Sequence, residues 1–322
     1  MNKPPYLRIV LSIRRGIATA AILLIAVGTA GCPPRHGPGV SGTTAEPIAR
    51  ETGEIERVIR ANGAKLNGAL WSPSISVYAE FPDERAARRS YNLEGTLLFR
   101  APRDLRIDLR PTLGDPVMGI GSNAEDYWLW IEPELHRMRW GRHVHAGMPC
   151  AGELPVRPDQ LAAVLRPGLP DDRKLLGPIR TWGPNYDKLQ YIRRGLGDGP
   201  VGEPWLVDRE YWVERVEPYM VRQVVFRDAM GRIAVSARLD DYRAAWEGGP
   251  LLPHQVNVLW PRENAHFTLH ADGWRPMAGE KVHARAFARP TNETLPAGVT
   301  SIEQIDALCE SMSTSPTSRP AD

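Results

Sequence analysis

Apolar and polar residues alternate in many short runs through the middle of the chain, and turn residues separate these runs. The runs are SISVYAEF (Ser74–Phe81), YNLEGTLLFRA (Tyr91–Ala101), LRIDLR (Leu105–Arg110) and, further on, YMVRQVVFRD, RIAVSARLDDY, HQVNVLW and HFTLHADGW. Strict alternation places the apolar side chains of a strand on one face, which is typical of antiparallel sheets with one buried face. The segment DAMGR (Asp228–Arg232) predicts a hairpin turn between two such strands.

Helical patterns are few. ETGEIERVIRANGAKL carries a stripe of Ile55, Val58, Ile59 and Leu66. RPDQLAAVLRPGLP predicts a second helix that begins at Pro158 and ends at the following Pro and Gly residues. TSIEQIDALCESM predicts a third helix near the C-terminus. The sequence therefore predicts a mainly β fold of the α+β class. We expect a curled, half-open antiparallel β-barrel with helices covering a hydrophobic cavity.

The N-terminal segment has the composition of a secretory signal. Basic residues precede an apolar run, Ile17 to Ala30. A bilayer span needs roughly 20 residues, so this run is too short to be one and fits a signal peptide instead. The run ends in Thr29-Ala30-Gly31-Cys32, which resembles the cleavage box of bacterial lipoproteins. We expect residues 1–31 to be a signal peptide, Cys32 to carry acyl chains and residues 32–46 to be a flexible tether. An ordinary signal peptide with an incidental cysteine is the alternative.

Composition agrees with one folded domain behind the tether. Of 322 residues, 42% are hydrophobic. A chain of this kind can build one sizeable core. The formal net charge of +2 gives no concentrated basic surface for nucleic acid, and arginines interleaved with acids favour a solvated face. Cys150 and Cys309 are either a disulfide or two free thiols, since sequence gives no distance between them.

The stretch DYWLWIEPE is apolar on both faces of the strand that it predicts. Tyr127, Leu129 and Ile131 point to one side, and Trp128 and Trp130 to the other. Such a strand either lies between two packed layers or exposes one face to an apolar ligand, and burial of at least one face under a helix is favoured. Together with Leu161 and Leu165 of the second predicted helix, these five residues are the candidate cavity and lipid-binding residues.

Three segments, taken in order, resemble the LolA/LolB family of lipoprotein carriers and receptors, most of all LolB. The first, DLRIDLRPTLGDPVMGIGSN, is similar to the strand–loop–strand that carries a protruding Pro-Leu-Gly turn in that family. The second, LPVRPDQLAAVLRPGLP, is similar to its helix ending in Gly-Leu-Pro, and the third resembles its closing strands, from Leu239 to Trp274. The chain departs from the pattern in one extra turn residue, an insertion near 171–210 and an extension at 276–322, partly disordered. The family-like domain would occupy residues 47–275.

The resemblance implies a non-enzymatic protein that needs no cofactor. It would take acyl chains of lipoproteins or lipids into a hydrophobic cavity, receive them from a periplasmic LolA-type carrier, and release them into the outer membrane. Its location would be the periplasmic face of that membrane. The family's membrane-contacting turn corresponds to Leu113 and Gly114 here; a partly covered turn leucine is the alternative for Leu113. A structural or assembly lipoprotein that binds a protein partner on its sheet is the alternative function.

Motifs for catalysis are missing from the sequence: HExxH, the Walker glycine loop and GxSxG do not occur. The cluster HRMRWGRHVHAGMPC offers His136, His143, His145 and Cys150 as conceivable zinc ligands. The cluster is local and flanked by arginines, so polar surface residues are favoured and we expect no metal site.

Overall fold

A computed structural model describes residues 51–83, 85–132, 136–166, 168–170, 172, 174–195, 204–278 and 282–314. The predicted signal peptide, Cys32 and the tether lie outside these residues.

Fifteen strands in the described residues form one large sheet. They are β1 (Ala69–Pro82), β2 (Arg88–Arg100), β3 (Asp104–Arg110), β4 (Met118–Ser122), β5 (Asp126–Ile131), β6 (Arg137–Arg142), β7 (Leu176–Trp182), β8 (Tyr186–Arg194), β9 (Trp205–Glu214), β10 (Val221–Arg227), β11 (Ile233–Ala244), β12 (Leu251–Trp260), β13 (Ala265–Ala271), β14 (Arg275–Met277) and β15 (Ser301–Gln304). Their order is β15-β6-β5-β4-β3-β2-β1-β13-β12-β11-β10-β9-β8-β7, with β14 pairing β1. The sheet is not closed, because β15 and β7 lie at its two ends.

Alternation in the sequence produces the buried face of this sheet. In β3, Leu105, Ile107 and Leu109 are completely buried in the main hydrophobic core, whereas the intervening Arg106 and Asp108 point outward and pair at 2.7 Å. The prediction of a mainly β fold with few helices is confirmed, and of the predicted half-open barrel the structure shows one large sheet that is not closed.

Three α-helices accompany the sheet in the described residues: α1 (Thr52–Ala64), α2 (Pro158–Leu165) and α3 (Ala307–Thr314). The first two lie where the sequence predicts them. None of the described helices is long and apolar enough to cross a bilayer.

The third predicted helix differs from the structure. Only its second half is helical, while Ser301–Gln304 forms β15 and pairs in parallel with β6. The free edge of β6 offers backbone hydrogen-bond partners to this segment, and Glu303 binds the side chains of Arg137 and Arg139 at 3.3 and 3.0 Å. Long-range pairing thus outweighs the local helical pattern.

The C-terminal segment, residues 282–314, packs on the face of β5 and β6 opposite to the main core. Trp128, Trp130, Met138, Trp140 and Val299 form a separate hydrophobic cluster there. Arg289 lies 3.7 Å from the centre of the Trp140 ring and its Nε donates to Asp126 at 2.9 Å. Both faces of β5 are therefore buried, one under α2 and the other under the C-terminal segment.

Candidate functional site

A small apolar pocket lies where α1, the end of α2 and strands β9 to β12 meet. Its volume is about 40 Å³. The lining residues are mostly apolar and include Ile59 of α1, Leu165 of α2, Tyr219, Met220, Val224 and Leu252. Typical ligand pockets hold about 300–1000 Å³, so an acyl chain needs this pocket to expand.

Hydrogen bonds hold α1 against the sheet beside this pocket. The Asn62 side chain donates to the Leu251 carbonyl at 2.9 Å and accepts from the Leu251 N–H at 2.8 Å. The Tyr191 hydroxyl donates to Glu56 at 3.0 Å, and burial, together with the nearby Glu56 charge, raises the Tyr191 pKa. Tyr191 is therefore protonated at neutral pH, as a hydrogen-bond donor to Glu56 must be.

The second helix rests on a buried apolar stripe and a few polar bonds. Leu161 and Leu165 are buried in the main core, and the Trp260 indole donates to Gln160 at 2.8 Å. Arg157, just before the helix, binds both oxygens of Asp159 at 3.0 and 2.9 Å. These bonds help to fix the position of α2 over β3, β4 and β5.

A larger polar cavity of about 1060 Å³ adjoins the apolar pocket. Ala163, Arg166, Gly168 and Tyr211 line both. Many other side chains around the polar cavity are charged, and they include Arg157, Asp159, Arg193, Asp208, Arg209, Arg227, Arg262 and Glu263. The two spaces share one wall, so a molecule with an apolar tail and a polar head can contact both.

Ion pairs organise the polar cavity. Asp208 binds Arg193 and Arg209, both at 2.7 Å, and Arg209 also lies over the ring of Phe226. Burial raises the pKa of Glu263, so this carboxyl gains a proton more readily than an exposed one. The sequence pattern does not reveal this cavity, because arginines interleaved with acids predict a solvated face. The run VDREYW is one signal, since its alternation points Arg209 to the same side as Tyr211.

The candidate cavity residues of β5 divide between two clusters. Tyr127, Leu129 and Ile131 lie in the main core with Leu161 and Leu165, and burial raises the Tyr127 pKa to about 12. Trp128 and Trp130 lie on the opposite face, under the C-terminal segment. Of these seven residues, only Leu165 lines the apolar pocket. Residue alternation explains the division, since neighbours in a strand point to opposite faces.

The turn between β3 and β4 presents Leu113 to solvent. This side chain is 90% exposed, and it lies between Thr112 and Gly114. Gly114 has a φ of 135°. Other residues rarely adopt this conformation, so the turn depends on glycine at this position. The geometry holds an apolar side chain outside the fold.

The conceivable zinc ligands do not converge. His136 lies 2.9 Å from Glu132, and His143 Nε2 lies 2.9 Å from the Asn123 carbonyl oxygen, while burial lowers the His143 pKa. Cys150 is bonded to Cys309. His145 instead meets Asp306 and Glu310, with ligand atoms within 4.8 Å of one another.

Protein donors already use the carboxylates of that group. Gln304 donates to Asp306 at 3.0 Å and to Glu310 at 2.8 Å, and Arg142 binds Glu310 at 2.9 Å. Burial raises the Asp306 pKa, but hydrogen bonds from the Arg142 N–H, His145 and Gln304 outweigh it, so the pKa lies below its ordinary value. The group therefore fastens the C-terminal segment to the end of β6.

Comparisons with known proteins give structural likenesses only. No family model and no curated protein matches the chain. It is similar to the structure of a LolA superfamily protein from Nitrosomonas europaea, with 10% identity and a TM-score of 0.46, over 73% of this chain and 97% of that one.

Two further solved structures are similar. A protein domain from Vibrio parahaemolyticus, named for outer membrane lipoprotein sorting, has 12% identity and a TM-score of 0.43, covering 74% of this chain and 97% of its own. A DUF1329 family protein from Desulfovibrio piger has 12% identity and a TM-score of 0.45, covering 78% of this chain and 100% of its own. At these values the likenesses establish neither a family nor a function for the chain.

Proposed function

We propose that this protein is a membrane-anchored periplasmic lipid- or lipoprotein-binding protein. Acyl chains on Cys32 hold it at the periplasmic face of the outer membrane. It accepts the acyl chains of lipoproteins or lipids, from a LolA-type carrier where one is present, and helps deliver them to that membrane. It catalyses no reaction, because transfer needs only a difference in apolar burial.

The observation that carries this proposal is the shared wall of the apolar pocket and the polar cavity. Ala163 and Tyr211 contact both spaces. An acylated molecule has the matching division, an apolar chain next to a polar head. The chain would enter between α1 and α2, and the head would remain among the paired arginines and acids.

Expansion of the pocket is energetically feasible. Removing a sixteen-carbon chain from water is favourable by roughly 12 kcal/mol, at about 0.8 kcal/mol per methylene. Two hydrogen bonds between Asn62 and Leu251 hold α1 to the sheet. Such bonds contribute about 0.5–1.5 kcal/mol each. Separation also breaks the Tyr191–Glu56 hydrogen bond and uncovers Ile55 and Ile59, so acyl binding offsets the cost if the chain covers these two side chains.

Release into the membrane would use the β3–β4 turn. Leu113 is the apolar side chain that this turn presents to solvent. Its transient contact with the acyl region would bring the loaded protein close to the bilayer, where the chain finds an equally apolar environment.

A fluorescent fatty-acid titration tests the pocket. The chain is produced with Cys32→Ser behind the cleavable signal peptide of a soluble secreted protein, so that no anchor or detergent interferes. Ala163→Phe fills the junction of the two spaces and should weaken binding about tenfold, since a misfitting bulky group costs roughly 1–3 kcal/mol. Ala61→Phe, on the exposed side of α1, is the matched control and should bind like the parent.

Background binding by the parent chain would refute the proposal and favour the structural or assembly lipoprotein. Equal weakening by both variants would move the site away from this pocket. In a structural or assembly lipoprotein, a protein partner could add a strand at the edge of β7, which pairs with β8 at the end of the sheet.

A further inference from the structure

Strands β7, β8 and β9, most of which lie in the predicted insertion near 171–210, end the sheet and expose apolar side chains on the face turned away from the core. Leu176 of β7 pairs with Ile192 of β8, and Ile192 pairs with Val207 of β9. Directly opposed residues share a face, so these three side chains lie side by side across three strands. Ile179 and Trp205 complete this group, which we call the outer patch.

The outer patch is exposed. Leu176, Ile179 and Trp205 are 49%, 51% and 49% accessible, and Ile192 and Val207 are partly accessible. Tyr191 and Leu189 point to the other face of the sheet, into the core, which agrees with an outward Ile192. Contiguous exposed apolar groups on a solvated face mark an interaction site.

The chemistry of the patch suits a lipid surface. Trp205 joins an apolar ring to an indole N–H, the combination that is enriched at membrane–water interfaces. Arg194 lies over the Trp205 ring at 5.4 Å. A cation beside exposed Trp, Leu and Ile matches anionic headgroups above an acyl region.

The start of the fold packs on the same strands as the outer patch, but on their opposite, core-facing side. Glu56, in the first turns of α1, accepts a hydrogen bond from Tyr191, the neighbour of Ile192. Cys32 lies 19 residues before Glu51, where the described residues begin. A chain of about 20 residues reaches at most roughly 70 Å, so an anchor on Cys32 would leave this end of the sheet within reach of the bilayer.

We propose that the outer patch docks on an anionic lipid bilayer and orients the anchored protein. This inference rests on the anchoring at Cys32 that the proposed function includes. The outer patch is then a membrane-contacting surface, separate from the pocket and from the Leu113 turn.

An introduced cysteine provides the test, because Cys32 would be acylated and Cys150 and Cys309 are bonded to each other. Ile179→Cys places a unique thiol in the patch. Leu259→Cys is the matched control: Leu259 is 47% exposed, points to the same face and lies on β12, five strands away. Each full-length lipidated variant is labelled with a fluorophore and reconstituted into phosphatidylethanolamine–phosphatidylglycerol vesicles that contain nitroxide-labelled acyl chains.

We expect about a twofold loss of fluorescence at position 179, because an interfacial group sits roughly 5–10 Å into the headgroup region, and little loss at position 259. Replacing phosphatidylglycerol with phosphatidylcholine should reduce the quenching at 179. Equal quenching at the two positions, in protein that floats with the vesicles, would overturn the inference. So would crosslinking of two copies through position 179, which would make the patch a dimer interface.

Vesicle flotation separates the two proposals. If the protein does not float with the vesicles, it has no lipid anchor. That result would refute both the anchoring at Cys32 and this inference. Fatty-acid binding in the pocket is measured in a separate assay and would be unaffected. A chain that floats and binds fatty acid without quenching at 179 refutes the patch alone.

Discussion

Cys150 and Cys309 are joined by a disulfide, with their Cα atoms 5.2 Å apart and a sequence separation of 159. The bond fastens α3 to the loop after β6. It acts together with β15, which extends the sheet, and with Asp306, which accepts from the Arg142 N–H at 2.9 Å. The C-terminal segment is therefore fixed to the fold by covalent, sheet and polar interactions at once.

Replacing both cysteines with serine should lower the free energy of unfolding by about 2–5 kcal/mol, since a bond across so long a loop restricts the unfolded chain strongly. Urea unfolding of the parent and the double variant measures the difference. In the mature, unreduced and denatured parent we expect no free thiol. Two free thiols per molecule would contradict the bond.

Asp306→Asn should destabilise the protein by about 1–3 kcal/mol at neutral pH, because a buried acceptor of several hydrogen bonds loses its charge. The carboxyl pKa is lowered in the fold, so its contribution is complete above the ordinary value of 3.8 and is lost as the pH falls through the lowered value. Unfolding measured from neutral to strongly acidic pH should therefore show a smaller acid-induced loss in the variant. Asp115→Asn, at an exposed turn position, should leave the pH profile unchanged.

Leu113→Glu should leave stability within about 0.5 kcal/mol of the parent, because the side chain touches little of the fold. It should slow the transfer of a bound acyl probe to vesicles, since a charge opposes contact with the acyl region by about 2–3 kcal/mol. Met230→Glu is the control, a 75% exposed apolar residue in the Asp228–Arg232 turn. Normal transfer by Leu113→Glu would assign release to another surface, and unfolding would show that Leu113 supports the core.

Cys32→Ser, expressed behind the cleavable signal peptide of a soluble secreted protein, should move the chain from the membrane to the soluble periplasmic fraction. The reason is that two or three acyl chains, at about 0.8 kcal/mol per buried methylene, supply the anchoring energy. Cell fractionation with an antibody against the chain measures this. Membrane association that persists without Cys32 would mean that another part of the chain holds it there.

Local pattern determined most of the sheet. The alternation in Leu105–Arg110 requires one apolar face whatever the neighbours are, and the stripe of α1 and the Pro158 start of α2 likewise depend only on nearby residues. The turn at Gly114 also depends only on nearby residues, because a positive φ is a property of one residue.

Contacts between distant segments decided the rest. The sequence did not decide whether Cys150 and Cys309 form a disulfide, since only the path of the chain brings their Cα atoms to 5.2 Å. It predicted a helix at Ser301–Gln304, where the free edge of β6 supplies hydrogen bonds that make a strand. It predicted a solvated face for the interleaved arginines in general, whereas carboxylate partners let Arg157 and Arg209 line a cavity. Periodicity encodes which face of an element is apolar, but which surface covers that face depends on topology, and that information arises only when the strands have been paired.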